Sequence, residues 1–516
     1  MIWLSRKVAF GHLSHFQSSR RQRSPRQRLL LQAPFVPSFE RFAFWGIVIG
    51  CLGMITAVHS AAQQSDASRL ASPDKKTRPN LILILADDLG YGDVSCHGAA
   101  DVQTPHLDKL ASEGMKLTRM RANCTVCSPT RAAVMTGMYP DRAGVPGVIR
   151  THAPNSWGYL RTDIPTLADR LRDAGYQTGI VGKWHLGLAS PNTPCERGFD
   201  HFHGFLGDMM DDYYTHRRQG HNYMRLNDRE IDPEGHATEL FTQWADEYLT
   251  ERAKASEPPF FLYLAYNAPH FPIQPPKQWL DRVQSRSPQL DSKRALNVAF
   301  VEHLDDQIGK LLHRIDELGL RDNTVIAFTS DNGGSLPHSQ NNDPWRDGKQ
   351  SHYDGGLRVP AWVRYPGKIA AGSSSDQPVM TFDLSATFLQ YAGVPRPREI
   401  DAVGLKDLLE TGSPASGSEL SERELYFVRR EGGGRYVGHA YHALIQGRWK
   451  LMQNDPFSPM ELYDLEADPG ETNNQIAKQP RVVAKLKQQL AAQIQQGGRI
   501  PWQAPMPAVS TETTAK

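Results

Sequence analysis

Four short apolar runs, each ending abruptly in a cluster of polar residues, constrain the fold of this chain more than any other feature. They are NLILILADD at residues 80–88, YQTGIVGKWH at 176–185, FFLYLAYNAPH at 260–270 and TVIAFTSDNGG at 324–334. Continuous apolar runs rich in Ile, Leu and Val are typical of strands buried on both faces of a parallel sheet. Because ligands gather beyond the carboxyl ends of such strands, we expect the polar clusters to meet at one edge of the sheet.

Helical patterns lie between these runs. Residues 104–114 open with Thr-Pro and close on Gly, residues 164–175 carry apolar side chains at helical spacing, and residues 293–319 form a long amphipathic pattern. Strand and helix therefore alternate, which predicts an α/β fold with helices on both faces of a central sheet. After about residue 411 the pattern changes to short strands with turns and a final helix at 481–497, which indicates a small α+β domain.

The N-terminal leader predicts export. Residues 1–41 carry eight Lys or Arg against one Glu, and the uncharged run at 42–62 ends in small residues at Ala62. This order is typical of a signal peptide, so we expect a periplasmic or secreted protein. The alternatives are a membrane anchor, for which about 17 apolar residues are the lower limit, and lipidation at Cys51.

The predicted organisation follows from these boundaries. The net charge of +2 includes +7 in the leader, so the rest of the chain carries −5 and gives no reason to expect a nucleic-acid partner. Four cysteines remain after the leader, too few for a disulfide framework. The predicted segments are a signal peptide at 1–62, a flexible lead-in at 63–77, a large catalytic domain at 78–411, an α+β domain at 423–500 and a polar tail at 501–516.

Acidic and amide side chains follow two of the apolar runs directly. Asp87 and Asp88 end the first run, and Asp331 and Asn332 end the fourth. Neighbouring carboxylates repel one another and are costly to bury without a partner. For the first pair, capping of the next helix is the alternative. Together the four side chains offer an all-oxygen ligand set, which favours Ca²⁺, with Mg²⁺ second, over zinc or copper.

Basic side chains occupy the other polar clusters. Lys183 and His185 lie in GKWHLG, His270 lies in NAPH, and Lys349 lies in WRDGKQSHYDGG. A lone His is more often structural than catalytic. Two His and two Lys, each set within a polar cluster beside an acidic site, indicate a pocket for a charged tetrahedral anion.

The stretch CTVCSPTRAAVMTG, which starts at Cys124, carries two cysteines three positions apart. Ser128 is predicted to N-cap a helix with Pro129 in its first turn. Cys127 then lies at the helix N-terminus, where backbone N–H groups favour an anion, and Arg131 lies within one turn of it. A redox or disulfide pair of the two cysteines is the alternative, but such a pair would not require the Pro and the Arg.

The run C-S-P-T-R followed by A-A-V-M-T-G resembles the signature of the formylglycine-dependent, type I sulfatases of the alkaline-phosphatase-like superfamily. Family members often have Leu-Thr-Gly-Arg next, whereas this chain has Met135-Thr136-Gly137-Met138. The likeness is to the arylsulfatase A and N-acetylgalactosamine-6-sulfatase branch. Supporting motifs follow in the family's order, namely ADDLGYGD, GKWHLG, ERGFD, NAPH, SDNGG and GKQSHYDGGLRVP, and span residues 80–360.

The resemblance implies a sulfatase that hydrolyses a sulfate monoester on a sulfated small molecule or polysaccharide. It implies that a formylglycine-generating or sulfatase-maturing enzyme reads the tag and oxidises Cys127 to formylglycine, whose aldehyde hydrate Arg131 steadies. One hydroxyl of the hydrate would attack sulfur, and His270, with help from Lys349, would protonate the departing alcohol. His185 would then take the proton from the second hydroxyl, which releases sulfate and restores the aldehyde. The residues that match the family's Ca²⁺ ligands are Asp87, Asp88, Asp331 and Asn332, and those that match the residues around the sulfate are Lys183, His185, His270 and Lys349.

Two other functions share these features. One is a phosphoester or phosphonate hydrolase of the same superfamily, and the other is a protein that binds an anion without catalysis. The segment 204–236 is predicted either to line subsites for a sulfated sugar or to be a surface loop packed by its own aromatic residues, and the sequence makes no statement about the oligomeric state. The subsite candidates in it are Asp211, Asp212, Tyr213, Tyr214, His216 and Arg217.

Overall fold

A computed structural model describes residues 78–254 and 258–503 of the protein. The predicted signal peptide, the lead-in and residues 504–516 of the predicted tail lie outside the described residues. The strands, in chain order, are β1 Asn80–Ala86, β2 Met115–Leu117, β3 Met120–Arg121, β4 Gln177–Lys183, β5 His201–Phe205, β6 Arg217–Arg218, β7 His221–Asn222, β8 Met224–Leu226, β9 Arg229–Glu230, β10 Phe260–Ala265, β11 Thr324–Ser330, β12 Ala361–Arg364, β13 Ser373–Ser375, β14 Val379–Met380, β15 Leu425–Arg430, β16 Ala440–Gln446, β17 Trp449–Gln453 and β18 Glu461–Asp464.

The α-helices lie between these strands. In chain order they are α1 Pro105–Ser112, α2 Cys127–Thr136, α3 Leu167–Asp173, α4 Ala237–Lys254, α5 Lys277–Arg286, α6 Ser292–Glu317, α7 Asp354–Leu357, α8 Asp383–Tyr391, α9 Lys406–Thr411, α10 Gly433–Tyr436 and α11 Pro480–Gly497. None of the helices in the described part of the chain is both long enough and apolar enough to cross a bilayer.

A ten-stranded mixed sheet organises the large α/β part, in the order β13-β2-β12-β11-β1-β10-β4-β5-β8-β9. The five central strands, β11 to β5 in this order, are parallel, and antiparallel strands flank them on both sides. The four apolar runs of the sequence are β1, β4, β10 and β11, which are neighbours in the sheet. The predicted α/β class with a largely parallel central sheet is therefore confirmed.

The alternation of side chains along β1 fills two apolar cores. Leu81, Leu83 and Leu85 face the core that also contains α2, α3 and α8. Ile82 and Ile84 face the opposite core, which contains α1, α4, α5 and α6. Because successive side chains of a strand point to opposite faces, a continuous apolar run is what a strand covered on both faces requires.

The C-terminal part forms an antiparallel sheet of four strands, in the order β15-β16-β17-β18. Leu486 and Leu490 of α11 belong to the same apolar core as Leu444 of β16. That core also includes side chains of the large sheet, such as Leu83. The strands and helix expected after residue 411 are present, and a domain boundary between residues 411 and 423 stays a prediction.

Candidate active site

The acidic and amide side chains meet at the carboxyl edge of β1 and β11. The last residues of these two strands pair in register, so the residues that follow them are level. Asp88 turns the chain with a φ of 64° and receives a hydrogen bond of 2.8 Å from Asn332 Nδ2 at its Oδ1. The backbone N–H of Asp88 donates to Asp331 Oδ1 at 3.2 Å. Both pairs of strand-end residues are buried, and Asp87 is fully buried.

Basic side chains from three other segments close on these carboxylates. Lys183, the last residue of β4, places Nζ 2.5 Å from Asp87 Oδ2. Lys349 Nζ lies 2.6 Å from Asp88 Oδ2, and His270 Nε2 lies 3.6 Å from the same oxygen. The expected convergence of these residues, which are widely separated in sequence, is therefore present in the structure.

His185 follows β4 with a φ of 59° and is buried. Its Nε2 lies 2.8 Å from the carbonyl oxygen of Ile149, a contact that assigns the ring proton to Nε2. Nδ1 is buried and has no hydrogen-bond partner among the described residues. Burial, and then the charges of Lys183 and Arg131, hold the pKa of His185 well below its usual value. The ring is therefore neutral, with the Nδ1 lone pair available to accept a proton.

Helix α2 begins at Cys127, which confirms the place of this residue at a helix N-terminus. The prediction that Ser128 is the N-cap is wrong, because the extended residue Val126 occupies the cap position. The hydroxyl of Ser128 instead accepts a hydrogen bond of 3.0 Å from the backbone N–H of Ile149. Pro129 lies in the first turn as expected, where its missing N–H costs no helical hydrogen bond.

The two cysteines have different surroundings, and both are free thiols. The hydroxyl of Thr130 accepts from the N–H of Cys124 at 3.0 Å and lies 3.2 Å from its carbonyl oxygen, which closes the loop before α2. Cys124 directs Sγ to the carbonyl oxygen of Val428 at 3.3 Å. Burial raises the pKa of Cys124 to about 12, so this thiol stays protonated and inert.

Cys127 points into the charged cluster. Its Sγ lies 3.6 Å from Lys349 Nζ and 3.9 Å from Asp88 Oδ1. Burial and then the negative charge of Asp87 raise the pKa of Cys127 well above its usual value. An unmodified Cys127 is therefore a thiol and not a thiolate nucleophile.

Arg131 is fully buried one turn into α2. Its Nε and Nη2 donate to Asp331 Oδ2 at 3.0 and 2.8 Å, and Nη1 donates to the carbonyl oxygen of Lys183 at 3.3 Å. Burial opposes the charge of Arg131, but Asp331 and the neighbouring groups together outweigh burial and raise the pKa of Arg131. In this structure the guanidinium therefore holds β11 and β4 together at the site.

The three buried carboxyl groups differ in how well they are compensated. Burial favours the neutral form of Asp87, but Lys183 and the other cations outweigh it and hold its pKa well below the usual range. Asp88 is likewise ionised, because Lys349 and its neighbours outweigh burial. Burial and then Asp87 raise the pKa of Asp331 to about 7. A further cation at this edge would stabilise all three charges.

The unpaired atoms identify where such a cation would bind. Asp87 Oδ1 and Asn332 Oδ1 are buried and have no hydrogen-bond donor within the described ranges. One ligand atom each from Asp87, Asp88, Cys127 and His270 lies within 4.8 Å of the others. Because the unsatisfied atoms are oxygens, the site suits a hard divalent cation better than a zinc ion bound by sulfur and nitrogen.

The segment 204–236 is largely occupied with its own contacts. Arg217 pairs with Asp232 through two hydrogen bonds of 2.8 and 2.7 Å, which favours the surface-loop alternative. Tyr213, expected as a subsite candidate, is buried, and its hydroxyl lies 2.8 Å from the carbonyl oxygen of Asn267 and 3.0 Å from that of His270. Tyr213 thus supports the loop that carries His270, a role for which the sequence offers no signal beyond an aromatic residue.

The chain is similar to known proteins over the whole region that carries the candidate active site. The chain matches the sulfatase family over residues 79–394, which include all ten predicted site residues, and the family described as N-sulphoglucosamine sulphohydrolase, C-terminal, over residues 344–496. It is 33% identical to the N-acetylgalactosamine-6-sulfatase of Mus musculus over an alignment of 396 positions that covers 72% of this chain and 71% of that protein. It is 30% identical to the N-acetylgalactosamine-6-O-sulfatase of Bacteroides thetaiotaomicron, covering 80% of this chain and 92% of the relative. The crystal structure of Ps i-CgsB in complex with k-i-k-neocarrahexaose matches with a TM-score of 0.74 at 28% identity, covering 83% of this chain and 95% of that chain.

Proposed function

This chain belongs to the sulfatase family, and we propose that it removes sulfate from a sulfated carbohydrate. As a sulfatase it is a sulfuric ester hydrolase. The mouse relative is named for N-acetylgalactosamine 6-sulfate, and Ps i-CgsB is bound to a neocarrahexaose. Both names support a sugar as the alcohol from which sulfate is removed.

The observation that carries the proposal is the position of Cys127. Its Sγ lies among Asp88 and Lys349 at the N-terminus of α2, yet its pKa is raised well above the usual value by burial and by Asp87. A protonated thiol is a poor nucleophile, so the site is arranged for something other than the thiol. Formylglycine made from Cys127 by a maturing enzyme supplies, when present, a hydrated aldehyde whose hydroxyl can attack sulfur.

The basic residues have distinct proposed roles. Lys183 and Lys349 bind sulfate oxygens, since each is a cation held against a carboxylate of the acidic site. His185 accepts a proton through its free Nδ1. Burial and then Lys349 lower the pKa of His270 to about 4. A bound sulfate anion therefore has to raise that pKa before His270 can protonate the leaving alcohol.

Four residues would hold a divalent cation, which we propose to be Ca²⁺. The two unpaired oxygens, on Asp87 and Asn332, support a hard oxygen-preferring ion, and Asp88 and Asp331 complete the set. Such an ion, when bound, stabilises negative charge that develops on oxygen during hydrolysis. The protein's own part is to keep these four side chains fixed on the ends of two paired strands.

Export is also proposed. The basic leader and apolar run within residues 1–62 support a signal peptide that takes the protein to the periplasm or outside the cell. The partners implied are the sulfated carbohydrate and a sulfatase-maturing or formylglycine-generating enzyme.

The competing function is hydrolysis of a phosphate monoester, because phosphate is also a tetrahedral anion. The test compares kcat/KM for 4-nitrophenyl sulfate and 4-nitrophenyl phosphate, followed by N-acetylgalactosamine 6-sulfate and carrageenan oligosaccharides. We expect the sulfate ester to be preferred by about 100-fold or more. A preference for phosphate, or equal turnover by a Cys127→Ala variant, would contradict the proposal.

A further inference from the structure

Two large apolar side chains are exposed beside the loops that carry His270 and Lys349. Phe271, the residue after His270, is 44% exposed, and Leu336 is 47% exposed. Exposed apolar groups next to a polar pocket are typical of ligand-binding surfaces, whereas isolated ones elsewhere on a surface need no explanation. The contacts of Phe271 and Leu336 show whether they form a binding surface or are isolated exposed groups.

Phe271 is held in place by one face of its ring and by its backbone carbonyl. Its ring stacks on the imidazole of His338, with ring centres 4.5 Å apart and an angle of 17° between the planes. His338 is itself fixed, since its Nδ1 lies 3.0 Å from the hydroxyl of Ser335. The backbone carbonyl of Phe271 lies 2.6 Å from His270 Nδ1. The ring is therefore a fixed surface attached to the proposed proton donor.

The same surface continues to the proposed sulfate-binding lysine. The N–H of Lys349 donates to the carbonyl oxygen of Gly334 at 2.9 Å within the loop that also carries Leu336, and Gln340 Nε2 of this loop donates to the carbonyl oxygen of Pro269 at 2.9 Å, next to His270. Leu336 packs over Gly348, where an added Cβ would come within 3.2 Å of the leucine Cγ. Glycine at this position leaves room for the leucine side chain directly beside Lys349.

The charge state of His338 follows mainly from its burial. Burial lowers the pKa of His338, and the charges of Asp88, Lys349 and Lys293 act on it more weakly. The imidazole is therefore neutral, and with Phe271 it presents an uncharged surface at the rim of a strongly charged pocket.

We propose that Phe271, His338 and Leu336 form a platform on which the sugar ring of the leaving group stacks while its sulfate occupies the charged pocket. The inference rests on the proposed sulfatase function. The apolar C–H face of a pyranose packs favourably on a fixed aromatic ring, and a stacked ring costs little conformational entropy. Since the platform adjoins His270, a sugar placed on it has its bridging oxygen close to the proposed proton donor.

The test replaces the aromatic ring of Phe271 and keeps the backbone carbonyl of Phe271, which contacts His270. For Phe271→Ala we expect KM for the fastest sulfate ester of the panel to rise about fivefold to tenfold, with kcat within about threefold of wild type. Inorganic sulfate has no ring, so its inhibition constant should be unchanged. Phe271→Trp restores an aromatic face and should restore KM.

Phe457 is the matched control. It is 80% exposed and lies against a histidine, His439, with ring centres 4.8 Å apart, but in the loop between β17 and β18 of the C-terminal sheet. Phe457→Ala should leave KM unchanged. Two results for Phe271→Ala would overturn the platform but not the proposed function. One is turnover at the wild-type rate with an unchanged KM, and the other is a rise in the inhibition constant of inorganic sulfate as large as the rise in KM. Absence of any sulfate ester hydrolysis by the mature wild-type protein would overturn the proposed function and the platform with it.

Discussion

Two of the groups of buried charged side chains in the described part of the chain differ in how completely their oxygen atoms are paired. We call them the site cluster and the support cluster. The site cluster consists of Asp87, Asp88, Asp331, Arg131, Lys183 and Lys349, and the support cluster consists of Arg121, Asp354, Arg358, Lys450 and Glu471.

In the support cluster every carboxylate oxygen lies within 3.0 Å of a cation or a backbone N–H, although Glu471 Oε1 meets Lys450 as an ion pair without a hydrogen bond. Asp354 receives Lys450 Nζ at 2.9 Å on one oxygen and Arg121 Nη2 at 2.6 Å on the other, where Arg358 Nε also lies at 3.0 Å. Glu471 pairs with Lys450 at 2.7 Å and accepts the N–H of Asp354 at 2.5 Å. These contacts join the C-terminal sheet to α7, which follows the loop that carries Lys349.

In the site cluster, by contrast, the pairing is incomplete, and Asp87 Oδ1 lies 3.6 Å from Arg131 Nη2. Asp87 Oδ1 and the neighbouring Asn332 Oδ1 have no donor among the described residues, and the pKa of Asp331 is raised to about 7 by burial and by Asp87. Buried charge is costly in both clusters, and a buried ion pair alone says little about function. The unsatisfied acceptors are what separate a binding site from a structural network.

The largest predicted effect comes from Cys127→Ser, which removes the formylglycine precursor and leaves both clusters intact. We expect turnover of sulfate esters to fall by about 10⁴-fold or more, because a nucleophile acts as a unit with its neighbours. Thermal unfolding should change little, and Ca²⁺ binding should survive. Multiple turnover at the wild-type rate would show that the site cluster works without formylglycine.

For Asp354→Asn we expect the opposite result to that for Cys127→Ser, because the main loss should be in the free energy of unfolding. Removing the central carboxylate leaves the surrounding cations underpaired, which costs about 3–5 kcal/mol of unfolding free energy. Chemical denaturation measures this directly, and Asp331→Asn is the matched control, for which we expect a much smaller loss of stability in metal-free protein, because burial and Asp87 raise the pKa of Asp331 to about 7 and its charge is poorly compensated. An equal loss in both variants would remove the distinction between the clusters.

The pH dependence of Asp354→Asn sharpens the same comparison. Burial opposes ionisation of Asp354, but Arg121, Lys450 and Arg358 outweigh it and hold its pKa well below the usual value. Its folded pKa is thus lower than the unfolded value of about 3.9, so the stabilisation is present above that pH. The difference in stability between wild type and variant should therefore shrink as the pH falls below about 4.

Removal of metal should affect only the site cluster. A chelator should abolish turnover reversibly, and Ca²⁺ at 100 times its Kd should raise the unfolding free energy by about 2.7 kcal/mol. Asp87→Asn should lose this shift, whereas exposed Asp232→Asn should keep it. A shift of equal size in Asp87→Asn would place the ion elsewhere.

The smallest effect is expected for Arg217→Ala, outside both clusters. Its pair with Asp232 is largely exposed, and such pairs contribute little to stability. We expect kcat/KM to stay within about twofold of wild type, since the side chain is engaged with its own segment. A large rise in KM with a sulfated sugar would instead support the subsite alternative for residues 204–236.

The sequence predicted the elements that depend on local pattern. The four apolar runs became neighbouring strands, and the helices expected at 104–114, 164–175, 293–319 and 481–497 are present as α1, α3, α6 and α11. Seven of the ten site residues lie at or just after the ends of β1, β4, β10 and β11, and they converge because parallel strands end at the same edge, which a sequence pattern can anticipate. The other three are Cys127 and Arg131 on α2 and Lys349 in the loop before α7.

What the sequence did not predict depends on distant contacts. Ser128 has a side chain that is well suited to N-capping, but its hydroxyl accepts a hydrogen bond from the N–H of Ile149. Val126 is the cap residue instead. The support cluster joins Arg121 to Lys450, which are far apart in the chain and have no shared motif. Such pairings exist only in the folded protein, where tertiary contacts override local preference.

The central claim is that Cys127 is converted to formylglycine, and the mass of the tryptic peptide 122–131, from protein made in its own host, tests it most directly. Replacing the thiol by an aldehyde lowers the mass by about 18 Da. We predict a peptide lighter by that amount, with the change located at Cys127 and not at Cys124. An unmodified peptide from protein that hydrolyses sulfate esters would contradict the account.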